Sequence, residues 1–134
     1  MAPQPVKDDA CCLSCFITTA CMLSRGLPDD CEELTILRKF RDEYVSLQPN
    51  GEELVNFYYF YSPRIVTQLN HHRHSRRLYD QLYLVIRYCV NLIKKGELHK
   101  AMEAYIEMCL VLQKKFVASD WRANPALLEA LLPN

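Results

Sequence analysis

Five of the chain's seven cysteines fall between Asp9 and Cys31, in the stretch DACCLSCFITTACMLSRGLPDDC. Thiols crowded in this way can hold a metal, run redox or nucleophilic chemistry, carry lipid, or pack. Cys12 and Cys15 form a C-x-x-C pair, a spacing that lets two sulfurs reach one ion. Cys21 and Cys31 could complete four ligands, with Cys11 spare, and soft thiolates suit zinc or an iron–sulfur cluster. The second C-x-x-C of a strong zinc motif is absent, and Cys21 and Cys31 stand on either side of a turn. Cysteine is also a small hydrophobe that is often buried. Cys15 is the candidate reactive thiol: near a helix N-terminus, with Arg38 or Arg41 beside it, its pKa would fall. The vicinal Cys11-Cys12 pair is an acylation candidate.

A second group is Arg38, Arg41 and Asp42, read as a buried or half-buried ion network bracing the Cys15 segment. Such pairs shape a fold more than they stabilise it. HHRHSRR, His71 to Arg77, could bind a transition metal through its histidines or phosphate and RNA through its arginines. A solvated linker between helices is the competing reading, since charge runs are usually solvated. Phosphate-cradling glycine loops, G-x-S-x-G, H-E-x-x-H and paired carboxylates placed as acid and base are all absent from the sequence. An enzyme is not demanded by any of these residues.

The elements that must position these groups follow from composition and period. The chain has 134 residues, the size of one domain, with 50% hydrophobic residues and 16 basic side chains balanced by 16 acidic ones. That balance gives no field to draw nucleic acid or an acidic membrane. Three glycines allow few tight turns, which favours helices over many strands. The first residues, MAPQPVKDD, lack an apolar signal core, and LYLVIRYCVNLI is interrupted and too short to span a bilayer. An odd number of cysteines argues against a closed disulfide framework. The expectation is a cytoplasmic protein with reduced thiols.

Residues 1–9 are read as a disordered N-terminus, and 10–134 as one all-α domain: a compact helical bundle with a C-terminal antiparallel hairpin. Leu13–Leu23 is an apolar run that fits a helix or a buried strand. Pro28 and the acids after it suit a helix start. Leu34, Leu37, Phe40, Tyr44 and Leu47 then recur at helical spacing. QPNGEE ends that helix and begins another. Leu54–Tyr61 is apolar nearly all round and expected to be buried on more than one side. Ser62-Pro63 reads as an N-cap followed by proline at the first position of a new helix. The strongest pattern follows. Leu78, Leu82, Val85, Cys89, Leu92 and Ile93 form one stripe, Gly96 stops the helix, and Leu98, Ala101, Tyr105, Met108, Leu112 and Phe116 form the next. The hairpin spans 75–118, and a short capped helix at 124–132 could dock back through Leu127, Leu128 and Leu131.

Two resemblances are carried by these residues. Cys15-Phe16-Ile17-Thr18-Thr19-Ala20, Leu37-Arg38-Lys39-Phe40-Arg41-Asp42, Gly51, Tyr58-Tyr59 and Ser62-Pro63 stand in the order and spacing of a bacterial family often called the CFI-box. The segment from Cys15 to Leu69 resembles that family. The resemblance implies a compact helical module with Cys15 near its centre, and implies no reaction. KKGELHKAMEAYIEM resembles a tetratricopeptide helix pair, without a second copy at the expected period.

These readings converge on a small helical interaction module that binds or inhibits a larger protein partner through an aromatic or helical surface. Eight tyrosines and five phenylalanines in a short chain motivate it, and Phe57, Tyr58, Tyr59 and Tyr61 are the candidate interface. A homo-oligomer is a further option. The alternative function is a metal-binding or redox module at Cys12, Cys15, Cys21 and Cys31. Nucleic-acid and membrane partners are not favoured.

Overall fold

The computed structural model describes residues 16–116, and these form five α-helices and one 3-10 turn with no strand among them. Helix α1 is Phe16–Ser24, α2 Glu32–Glu43, the 3-10 turn Val45–Leu47, α3 Gly51–His71, α4 Ser75–Lys94 and α5 Leu98–Phe116. The fold is all-α. The expected disordered residues 1–9 and the helix expected at 124–132 lie outside the described residues.

The hairpin forms as its apolar periods dictate. Gly96 adopts φ +82, a conformation glycine takes without steric cost, and the Glu97 N–H returns to the Leu92 carbonyl to close the end of α4. Helices α4 and α5 share the most extensive contact in the fold. Tyr79, Leu82, Ile86, Cys89, Val90 and Leu92 are the buried side of α4, and Ala101, Met108 and Leu112 that of α5. The buried stripe of α4 therefore runs partly through Tyr79, Ile86 and Val90, while Leu78, Val85 and Ile93 are only half-buried.

Helix α3 packs against both helices of this hairpin. Phe57, Tyr61, Ile65 and Leu69 recur every fourth residue and are all buried, the spacing that stacks side chains on one helical face. Helix α1 packs against α3 and α4, and α2 against α4 and the 3-10 turn. One core cluster joins all five helices through residues such as Ile17, Leu34, Ile65, Ile86 and Leu112. Each such side chain contributes about 1.5–3 kcal/mol on burial. A smaller cluster of Phe40, Leu92 and Ala101 closes the end of the bundle near the α4–α5 turn.

Two local expectations are corrected. Ser62-Pro63 does not begin a helix, because α3 runs unbroken from Gly51 to His71 with Pro63 inside it. A proline N has no hydrogen to donate, so one bond to the preceding turn is lost. The burial of Phe57 and Tyr61 before it and Ile65 and Leu69 after it holds the two halves in one helix. The stripe of α2 ends at Glu43, and Leu47 is 74% exposed in the 3-10 turn. The turn tightens the chain and rotates Leu47 off the apolar face. The helix expected to begin in QPNGEE starts at Gly51, whose place is fixed by packing. A Cβ there would collide with the Val45 carbonyl oxygen and come within 2.9 Å of the Ser46 carbonyl carbon, so only glycine lets α3 start against the turn. Asn50 precedes it in the left-handed region at φ 63.

Candidate functional site

Between α1, α3 and α5 lies an apolar cleft of about 110 Å3. Helix α1 contributes Ile17 and Thr18 to it. The end of α2 contributes Leu37, Phe40 and Arg41. Helix α3 gives Val55, Tyr58, Tyr59 and Ser62, and α5 gives Met102, Tyr105, Ile106, Cys109 and Gln113. The aromatic run Phe57–Tyr61 therefore serves two purposes. Phe57 and Tyr61 are buried, with ring centroids 4.6 Å apart, so their side chains belong to the core rather than to an exposed surface. Tyr58 and Tyr59 are half-buried at the cleft, and Phe60 is the exposed ring, 58% open with the Arg64 guanidinium 5.0 Å from its centroid. The four-residue repeat turns Phe57 and Tyr61 inward, and both also line the cleft.

Tyr58 fixes the geometry of the cleft. Its phenolic oxygen accepts the Ile17 backbone N–H at 3.1 Å and the Tyr105 hydroxyl at 3.1 Å. The first N–H groups of a helix lack intrahelical partners, so a tyrosine of α3 caps α1 and is held from α5. The rings of Tyr58 and Tyr105 meet edge to face at 5.9 Å.

Three polar side chains on the walls matter. The Arg41 guanidinium spans the Asp42 carboxylate, Nε to Oδ1 at 2.7 Å and Nη2 to Oδ2 at 3.0 Å, and holds the Asp42 carboxyl below its usual range. Ser62 and Gln113 are each only 1% exposed. The Ser62 hydroxyl and both polar atoms of the Gln113 carboxamide have no hydrogen-bond partner. A buried polar group left unpaired costs about 1–3 kcal/mol, and such groups are few in native proteins. Two of them on one apolar cleft are the chief chemical feature of the site.

The cysteines are distributed differently. Cys12 and Cys15 lie outside the described residues. Cys21 is fully buried in the core and donates its S–H to the Tyr79 carbonyl at 3.3 Å, and burial pushes its thiol up to about 12. Cys31 stands half-buried at the start of α2, its thiol raised chiefly by burial and bonded to Glu33. Neither thiol is drawn below its ordinary range. Among the described residues no three His, Cys, Asp or Glu side chains stand together as metal ligands. Burial likewise pushes Cys89 up to about 11, and burial with Cys89 nearby raises Cys109.

Arg38 braces a loop, its Nη1 donating to the Asp29 carbonyl at 2.9 Å and its Nη2 to Asp29 Oδ1 at 2.7 Å. A second network joins α2 to α4. Arg87 Nη1 reaches Glu32 at 3.1 Å and Glu33 at 3.2 Å, Lys94 reaches Glu32 at 2.7 Å, and the Tyr83 hydroxyl donates to Glu33 at 2.9 Å. Burial alone would raise the Glu33 carboxyl. Its backbone N–H, Tyr83, Cys31 and Arg87 outweigh that and hold it below the usual range. The histidines form the α3–α4 turn: His71 Nδ1 lies 2.8 Å from the Thr67 carbonyl, and the His74 N–H donates to His72 Nδ1 at 3.0 Å.

Sequence reasoning missed Gln113, Ser62 and the Glu33–Arg87 pair. Gln113 carried one usable signal: it follows Leu112 and stands five residues after Met108, at the edge of the apolar stripe of α5. Among the described residues no helix is long and apolar enough to cross a membrane. Comparison with protein-family models, with curated proteins and with solved structures finds no match to this chain.

Proposed function

We propose that this chain is a helical interaction module that receives a peptide segment of a protein partner in the cleft between α1, α3 and α5. The observation that carries the reading is an apolar cleft of about 110 Å3 bordered by two buried, unpartnered hydrogen-bonding side chains. Apolar walls with a few convergent polar groups are the usual composition of a binding site. A purely structural core would gain by replacing Ser62 and Gln113 with apolar residues.

A second support comes from the residues that carry the CFI-box resemblance. Ile17 and Thr18 from its first motif, Leu37, Phe40 and Arg41 from its second, and Tyr58, Tyr59 and Ser62 all border this cleft. Three stretches separated in sequence meet at one place.

The test is selection of peptides from a displayed library on the full chain, followed by binding to cleft-filled variants. Ile106→Trp and Val55→Trp each put a large ring into the cleft from a half-buried position, and circular dichroism checks that both remain helical. Selected peptides are expected to carry an apolar anchor and to lose about tenfold or more in affinity for both variants, a change of about 1.4 kcal/mol. Equal binding to the wild-type chain and to two folded, cleft-filled variants would reject the cleft as the binding surface.

A further inference from the structure

Resting on that reading, we infer that Gln113 recognises the main-chain N–H and C=O of one residue of an extended peptide, whose aliphatic side chain enters the cleft. Four observations define this ligand. A carboxamide presents one acceptor and two donors, and both Oε1 and Nε2 of Gln113 are buried without a partner on the cleft wall. One residue of an extended chain supplies the complementary pair, since its own N–H and carbonyl point to the same side: the N–H donates to Oε1 and the carbonyl accepts from Nε2. Ser62, the other unpartnered group on the cleft, offers a hydroxyl as a further contact.

The ligand is neutral. Arg41 is the one charged side chain among the described residues lining the cleft, and its guanidinium already spans the Asp42 carboxylate. A carboxylate or ammonium entering this apolar space would be desolvated without a counter-ion. The peptide is extended at the point of contact. In a helix the main-chain N–H and C=O pair with each other, whereas an extended segment leaves them free. The anchor is aliphatic on grounds of size. The cleft encloses about 110 Å3, less than the ~150 Å3 of a cavity known to hold benzene, so a leucine or isoleucine side chain fits better than an indole.

The experiment uses the full chain, isotopically labelled for NMR, titrated with three small probes. N-acetyl-leucine methylamide carries both the side chain and the amide. The corresponding ester, in which oxygen replaces the leucine N–H, lacks that donor. N-acetyl-glycine methylamide lacks the side chain. The methylamide is expected to shift the Ile106 methyls and the Gln113 side-chain NH2 together, and to bind about tenfold more tightly than the ester. In Gln113→Met, which keeps the volume and removes both polar atoms, the two leucine probes should bind alike while the Ile106 shift persists. Equal affinity of ester and methylamide for the wild-type chain, or discrimination that survives in Gln113→Met, overturns the role of Gln113 and leaves the cleft standing. Absence of any Ile106 shift with either leucine probe overturns both. Cross-relaxation between the Gln113 side chain and Leu127 or Leu131 in the free chain would assign the cleft to this chain's own C-terminal segment and overturn the external peptide.

Discussion

Replacing Gln113 by methionine should make the free protein more stable. The carboxamide is 1% exposed, and neither Oε1 nor Nε2 has a partner. Folding therefore takes a strongly hydrated group out of water and returns nothing to it. An unsatisfied buried group of this kind costs about 1–3 kcal/mol. Methionine has similar length and volume and fills irregular space, so the substitution leaves no cavity, and volume-conserving changes cost under about 1.5 kcal/mol. The net expectation is a gain of about 1–2 kcal/mol, relief exceeding repacking. For a domain of this size each kcal/mol moves Tm by roughly 3–5 °C. The assay is urea unfolding followed by far-ultraviolet circular dichroism, with the midpoint rising at unchanged slope. Leu112→Ala, the buried neighbour on α5, is the control and should lose about 2–5 kcal/mol. A Gln113→Met chain less stable than wild type by about 1 kcal/mol or more would mean that the carboxamide is paired in the folded chain, and the reasoning about the cleft would fall with it. A more stable variant with weaker amide recognition is the pattern expected when a site keeps a polar group at the expense of stability.

Arg87→Ala should cost about 2 kcal/mol at neutral pH by leaving the buried Glu33 carboxylate with less compensation, measured by the same unfolding titration. Because the Glu33 pKa is held below its unfolded value, that contribution is present above about pH 4.3 and is lost as pH falls through the folded pKa. The acid limb of the wild-type stability curve should therefore flatten in Arg87→Ala, and an unchanged limb would refute the pairing. Gly51→Ala should destabilise by about 3 kcal/mol, because backbone atoms of Val45 and Ser46 occupy the space a Cβ needs; a neutral result would show that α3 does not start against the turn. Cys21 and Cys89, with thiols raised to about 12 and about 11, should alkylate far more slowly at pH 8 than in urea-unfolded chain, and mass spectrometry showing equal rates would contradict their burial.

The sequence by itself determined the helices of the hairpin and the identity of the fold as all-α. Apolar residues at intervals of three and four from Leu78 to Phe116, punctuated by Gly96, have one low-energy solution. A stripe of that period can be buried only by a helix, and a tight glycine turn returns the second helix along the first. It also read Leu54–Tyr61 as apolar nearly all round, whereas the helix buries Leu54, Phe57 and Tyr61 and leaves Phe60 58% exposed. Tertiary structure decided the rest. Whether Ser62 caps a helix or sits inside one depends on what holds α3 straight across Pro63, and that is the packing of Phe57, Tyr61, Ile65 and Leu69. Whether Tyr58 faces a partner or caps α1 depends on α1 and α5 arriving from opposite directions in the chain. Gln113 shows the principle most plainly. Its position on α5 is local, but its burial and its lack of a partner are properties of three helices at once, because a hydrogen bond is made or missing only between groups that the whole fold brings together.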